Sequence, residues 1–250
     1  MITSVKDFLT AGEKLAQVFA RCLKEIKPGK RLIEIEQLAN QLIEQEGAKA
    51  SFKTVPGYHW ATCINLNAGI VHGIPNQEVI KEGDVVSLDM GLVYRGWHSD
   101  MAYTIKVQGK ENLEVEKFLN TGKRALEEAI KAVKPGNRVG HISAAIQRVI
   151  EGEGYHCVRD LTGHGIGQKL HQDPWIPCLL MGPVDQTPEL KEGMGLAIEV
   201  IYTMGKPELR KSADGWTIET QDGKISALFE KTVLVTRKGA QIVTPFLWEK

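Results

Sequence analysis

The chain is 250 residues long, with 31 Lys+Arg against 31 Asp+Glu and an apolar share of 42%. That is enough apolar material for a substantial core, and the balanced charge argues against a partner held mainly by electrostatics, such as nucleic acid or an anionic membrane surface. Its cysteines, Cys22, Cys63, Cys157 and Cys178, follow neither a C-x-x-C spacing nor a disulfide-dense pattern, so a reducing, cytoplasmic setting is expected, and no run of about 18 apolar residues marks a membrane span.

Ser4-Val5-Lys6-Asp7 has the form of a capping box. The stripe Val5, Phe8, Leu9, Leu15, Val18, Phe19 and Leu23 predicts a helix behind it. Asp7, Glu13 and Lys14 interleave with that stripe, which is the pattern of neither a signal nor a transit peptide. Pro28-Gly29 ends the helix. A second is predicted over 31–46, burying Ile35, Leu38, Ala39, Leu42 and Ile43 and stopping at Gly47. Short strands are expected over 62–66 and 69–72, then a hairpin from 85–93 and 97–107 around Tyr94-Arg95-Gly96. Helices return over 111–133 and 138–153. Gly163-His164-Gly165-Ile166-Gly167 reads as a glycine loop, and the last strands are expected over 195–203 and 225–236, separated by a Gly-, Asp- and Lys-rich segment at 205–224.

The second half repeats the first. Lys27-Pro28-Gly29 returns as Lys134-Pro135-Gly136, and the same offset pairs Arg31 with Arg138, Ile35 with Ile142 and Glu46-Gly47 with Glu153-Gly154. Lys81-Glu82-Gly83 returns as Lys191-Glu192-Gly193, each followed by a carboxylate in an apolar run: Asp89 in one half, Glu199 in the other. His72-Gly73-Ile74 is answered by His164-Gly165-Ile166. The pattern predicts an α+β fold in one domain, 1–250, built of pseudo-repeats over roughly 1–108 and 109–250, with helix pairs packed on one face of a curved antiparallel sheet.

The acids carry the functional signal. With a two-residue turn at Tyr94-Arg95, Asp89 and Asp100 fall directly opposite each other on one face of the hairpin. Like charges in that position destabilise a sheet, and a cation between them removes the cost; a solvated strand face is the alternative. Glu199 and Glu230 each sit inside a strand-like apolar run, where a buried carboxylate needs a cation, a donor or a raised pKa. Lys231 would be the ion-pair partner of Glu230, although sequence neighbours on a strand point to opposite faces. The glycines around His164 admit close backbone approach, but the segment lacks both the Lys-Ser/Thr of a phosphate loop and the dinucleotide fingerprint. Asp89, Asp100, His164, Glu199 and Glu230 together make an oxygen-rich, thiolate-free set suited to Mn, Fe, Co or Zn. Four carboxylates balance two divalent cations.

In order and spacing these residues resemble the type I methionine aminopeptidases of the pita-bread metallopeptidase family, over nearly the whole chain. The resemblance implies the pseudo-twofold pita-bread (creatinase/aminopeptidase) fold. It implies a dinuclear centre held by Asp89, Asp100, His164, Glu199 and Glu230, with Asp100 and Glu230 bridging. It implies removal of an initiator methionine ahead of a small second residue, by a hydroxide bridging the two ions. Glu199 would shuttle the proton, His171 would stabilise the tetrahedral intermediate, and His72 would position the scissile amide. Cys63, Leu170, Trp216, Tyr58 and His59 would enclose the methionine side chain. The chain departs from the family pattern at Lys231, Leu228 and Leu170, where histidine, glutamine and an aromatic are usual. A cytoplasmic monomer that visits the ribosome only transiently, bound to neither nucleic acid nor membrane, is expected. The alternatives are a proline-specific aminopeptidase or dipeptidase on the same fold and a non-enzymatic binding module.

Overall fold

The computed structural model describes residues 1–245; residues 246–250, the tail of the expected 1–250 unit, lie outside the described residues. The α-helices fall where the capping and Pro-Gly signals place them: α1 (Val5–Lys24), α2 (Leu32–Gln45), α3 (Leu113–Lys131) and α4 (Val139–Gly152). Ser4 Oγ accepts the Asp7 N–H at 3.4 Å and donates to Asp7 Oδ2 at 2.7 Å, so the Ser-x-x-Asp spacing works as a cap. Gly47, just past α2, adopts φ +65°, a left-handed conformation that glycine enters without steric cost.

The strands are β1 (Lys49–Ala50), β2 (Thr62–Leu66), β3 (Gly69–Val71), β4 (Val85–Tyr94), β5 (Trp97–Lys106), β6 (His156–Cys157), β7 (Thr162–Ile166), β8 (Gln172–Pro177), β9 (Gly195–Thr203), β10 (Leu209–Lys211), β11 (Ile218–Thr220), β12 (Ser226–Thr236) and β13 (Gly239–Ile242). They form two half-sheets. The first runs β1-β4-β2, with β5 on the free side of β4; the second runs β13-β12-β9-β7-β8, with β6 added to β9. A small third sheet, β10-β11-β3, pairs a strand of the first repeat with strands of the second. Helix α1 lies on β4 and β5, α3 lies on β9 and β12, and α2 and α4 flank them. The helices therefore cover one side of the half-sheets and leave the other for the site. Phe118 of α3 and Tyr202 of β9 illustrate the seal: both are fully buried, and the Tyr202 hydroxyl donates to the Phe118 carbonyl at 2.6 Å.

Two expectations change. The glycine segment around His164 is a strand, β7, hydrogen-bonded on both edges, to β8 and β9. Its glycines answer crowding between strands rather than the needs of a turn. The separator at 205–224 contains β10 and β11, which pair with each other; β11 also pairs non-locally with β3, and strands of three residues leave no periodic signal.

Glu36 on α2 fixes the entrance to β2. It is 5% exposed and accepts the N–H groups of Ala61 (2.8 Å) and Thr62 (3.0 Å) and the Thr62 hydroxyl (2.8 Å). These donors satisfy the buried carboxylate oxygens without a cation, and the carboxylate anchors the strand that carries Cys63.

Candidate metal centre

The hairpin closes through Arg95-Gly96, both at positive φ (49° and 81°), with Tyr94 opposite Trp97. This is the two-residue turn whose twist matches that of the strands, one residue later than the sequence reading placed it. The register therefore moves by two: Asp89 faces Ala102, and Asp100 faces Gly91. The two acids still share a face, because a shift of two preserves parity, but they are diagonal rather than directly opposed. Diagonal neighbours stand roughly 7–8 Å apart between backbones, which eases their repulsion. The directly opposed pair lies in the other half, where Glu199 of β9 faces Glu230 of β12.

Strand β7 delivers His164 beside this group, with Ala197 of β9 as its cross-strand partner. Donor atoms of Asp100, His164 and Glu230 all lie within 4.8 Å of one another. His164 Nε2 is 3.6 Å from Glu199 Oε1 and 4.0 Å from Asp100 Oδ2. The Nδ1 of His164 is 3.0 Å from the Gly165 carbonyl, which only accepts, so Nδ1 carries the proton and Nε2 presents its lone pair to the carboxylates. Asp89 completes the group: all five residues line one cavity of about 170 Å3.

The cavity is electrostatically unfinished without a cation. Asp89 Oδ1, Asp100 Oδ1 and Glu230 Oε1 are buried without a hydrogen-bond partner. Burial first, and then the neighbouring acids, hold Asp100, Glu199 and Glu230 well above the usual carboxylate range; burial pushes Asp89 up to about 8. Burial, reinforced by His171, holds His164 down to about 4, neutral and ready to ligate. Hard oxygens, one imidazole and three orphaned carboxylate atoms fit a divalent cation. Lys231 does not supply the missing charge. It lies on the opposite face of β12, where burial lowers its pKa against the pull of Glu127 on α3, and Glu230 Oε1 stays unpartnered.

The sign of the resulting pH dependence is definite. An acid whose pKa is raised by folding favours the folded state below its ordinary value and loses that contribution as pH rises through the raised one. The histidines act oppositely, because burial lowers His72, His98, His164 and His171, but their effect is confined to pH below about 6.5. Between about pH 6.5 and 8 the acids alone decide. The chelator-treated protein is therefore predicted to melt at progressively lower temperature across that window, and saturating Mn2+ to remove the trend; a metal-free melting temperature that rises with pH would contradict the electrostatic account.

The model of "Metallopeptidase family M24" matches residues 6–237. The chain belongs to metallopeptidase family M24. It is 40% identical to Methionine aminopeptidase 1 of Bacillus subtilis, over 94% of this chain and 93% of that protein. It is 39% identical to a methionine aminopeptidase of Aquifex aeolicus, over 96% and 95%. The crystal structure of a methionine aminopeptidase from Thermotoga maritima superposes with TM-score 0.93 at 38% identity, covering 98% of each chain. Prolidase from Pyrococcus furiosus shares the fold, with TM-score 0.76 at 24% identity over 98% of this chain and 66% of its own.

In this M24 chain the remaining predicted residues divide by position. His72 and His171 stand at the cavity mouth, each exposed on one side. The ring of His171 meets that of His164 edge to face, 4.5 Å between centroids. His72 has φ +58°, a left-handed conformation unusual for a residue with a side chain. Tyr58, Cys63, Leu170 and Trp216 line the cavity. The Tyr58 hydroxyl donates to the Thr62 carbonyl at 2.8 Å and lies 3.1 Å from Cys63 Sγ, and burial, then Asp89, keeps the Cys63 thiol protonated. His59 does not join them: it is exposed and packs on Trp60, 6.0 Å between ring centroids, outside the cavity wall. Phe52, Val55 and Val71 do line it. Sequence reasoning missed all three; Phe52 belongs to a single 3-10 turn over Phe52–Thr54 that carries no periodic signal.

Proposed function

We propose that this chain removes the N-terminal methionine from peptides whose second residue is small. The observation that carries the proposal is the single cavity in which acids of both repeats and His164 converge beside an apolar recess, in a chain up to 40% identical to methionine aminopeptidases over nearly its full length. Asp89, Asp100, His164, Glu199 and Glu230 would hold divalent cations. Four carboxylates match the charge of two such ions, drawn from Co, Mn, Fe or Zn. The chemistry supplied by bound cations is Lewis acidity, which makes water nucleophilic near neutral pH and polarises a carbonyl.

The protein groups divide the remaining work. Phe52, Tyr58, Cys63, Leu170 and Trp216 form a soft recess for a thioether side chain. Glu199 is the most accessible of the four acids, its side chain 13% exposed, and its raised pKa suits it to take a proton from water and return it to the departing amine. His171 and His72 are kept neutral by their lowered pKa, so each offers an N–H donor at the mouth. His171 would stabilise charge developing on the scissile carbonyl oxygen, and His72 would hold the amide beyond it. The reaction belongs in the cytoplasm, on free or ribosome-emerging chains, with the enzyme acting as a monomer.

A cleavage assay with Mn2+ separates the alternatives. Met-Ala-Ser is the expected substrate and Ala-Pro-Ala is not; exclusive cleavage of the proline peptide would favour a prolidase-type activity, and inertness toward both would favour a binding module. In the same assay His171→Ala is expected to lose about 10²-fold in kcat while retaining wild-type metal content. Wild-type turnover by that variant would remove His171 from the mechanism.

A further inference from the structure

The two half-sheets meet where β5 runs antiparallel beside β12, and no backbone–backbone hydrogen bond joins these strands among the described residues. Threonine hydroxyls take that place. Thr232 Oγ1 accepts the Asp100 N–H at 2.9 Å and donates to the Asp100 carbonyl at 2.7 Å. Thr104 Oγ1 does the same in the other direction, accepting the Leu228 N–H at 2.9 Å and donating to the Leu228 carbonyl at 2.8 Å. With its second lone pair Thr104 also accepts from Ser87 Oγ at 2.8 Å. Thr232 is itself fixed: its N–H donates to Thr244 Oγ1 at 3.1 Å, and its carbonyl accepts the Val243 N–H at 2.9 Å. Ser87, Thr104, Thr232 and Thr244 are all buried, none more than 1% exposed.

Each hydroxyl thus replaces a complete backbone partner. Directly paired strands would lie about 4.7–4.9 Å apart; a side chain inserted between them holds the backbones wider. The stretch bridged in this way is the one that carries the site. Thr232 grips the backbone of Asp100 itself, and Glu230 lies midway between Leu228 and Thr232.

We infer that Thr232 and Thr104 are positioning residues whose bifunctional hydroxyls set the gap between the two carboxylate-bearing half-sheets, and so the donor geometry offered to a divalent cation. The inference rests on the metallopeptidase reading above. A merely structural role for these hydroxyls would lower stability and leave the cation affinity of the folded protein unchanged.

The test titrates Mn2+ into metal-free wild type, T232S, T232V and T104V by calorimetry, with the electron paramagnetic resonance spectrum of the loaded proteins as a second readout. Valine keeps the shape of threonine and removes the hydroxyl; serine keeps the hydroxyl. T232V is expected to bind Mn2+ 10–100-fold more weakly, the range for residues that support metal ligands, with an altered resonance spectrum. T232S is expected to stay within about twofold of wild type, since the bridge persists, and T104V to fall between. T232V folded and binding with wild-type affinity would overturn the inference, as would T232S as weak as T232V. Failure of both valine variants to fold, even with Mn2+ present, would also overturn it, because the bridges would then serve the fold alone. A wild-type protein that takes up no Mn2+ would overturn the metallopeptidase reading along with the inference; wild-type uptake with an unchanged T232V would overturn the inference only.

Discussion

Exchanging Glu230 for glutamine is expected to lower kcat/KM on Met-Ala-Ser by about 10³-fold, or ~4 kcal/mol of transition-state stabilisation, while raising the melting temperature of the metal-free protein. Both effects come from one fact. Glu230 is 2% exposed, lies opposite Glu199, and is pushed toward the protonated form by burial, then by Asp100, Glu199 and Asp89. Glutamine has nearly the same shape and carries no charge to desolvate, so the empty cavity is relieved of strain. It also brings amide hydrogens that can donate to the orphaned oxygens of its neighbours. With cations present the balance reverses, because a ligand charge is gone. Activity assays in Mn2+ alongside thermal melts in chelator check both arms. A variant that loses activity and also melts lower without metal would show that Glu230 stabilises the fold in its own right, against the electrostatic reading.

Gly165→Ala should be nearly as damaging and for a different reason. A Cβ at this position would lie 2.3 Å from the Asp173 carbonyl oxygen and 2.8 Å from that of Gln172, both backbone atoms that cannot swing aside. Overpacking of this kind costs about 1–3 kcal/mol. The displacement acts where it matters most: Gly165 follows His164, its carbonyl sets the imidazole tautomer, and the segment it would push against begins one residue after His171. The expected result is a lowered melting temperature together with a loss of activity of at least about 10²-fold, as for misplacement of catalytic groups by an ångström. Gly154→Ala is the control: its Cβ would meet nothing within 4 Å but sits at φ +84°, so it should lower stability alone. Unchanged activity in Gly165→Ala would mean that β8 yields more easily than its pairing implies.

The helices and the long strands were legible because each carries a repeated signal. The stripe from Val5 to Leu23, the Pro-Gly interruptions and the apolar runs around Asp89 and Glu199 place α1 to α4, β4, β5, β9 and β12 within a few residues of their observed ends. What escaped depends on distant partners. β11 is held between its neighbour β10 and the distant β3, and β7 is a strand because β8 and β9 both bond to it. Glycine at 163 and 165 signals close approach, which a loop and a crowded sheet require equally. The acids and His164 were legible from residue type and order, and their convergence is now a matter of geometry. Phe52, Val55 and Val71 were not, since ordinary apolar residues near short turns look the same whether they face a core or a cavity. The register of the Asp89–Asp100 hairpin was misjudged because Arg95-Gly96 is a less familiar pair for its turn than Asn-Gly.

That turn has a consequence for how the hairpin can diverge. Side chains of β4 and β5 alternate between the helical layer and the face that carries Asp89 and Asp100, with Tyr94 and Trp97 closing the ladder. Swapping one amino acid for another leaves this alternation intact. Adding or deleting a single residue within either arm would rotate everything beyond it by half a turn, sending Asp100 into the hydrocarbon layer beneath α1 and bringing Met101 out in its stead. Apart from Asp89, Asp100 and Thr104, descendants of this gene therefore have more room to change spelling along residues 85–106 than word length, and tolerated indels should collect elsewhere, in exposed connections such as 108–112.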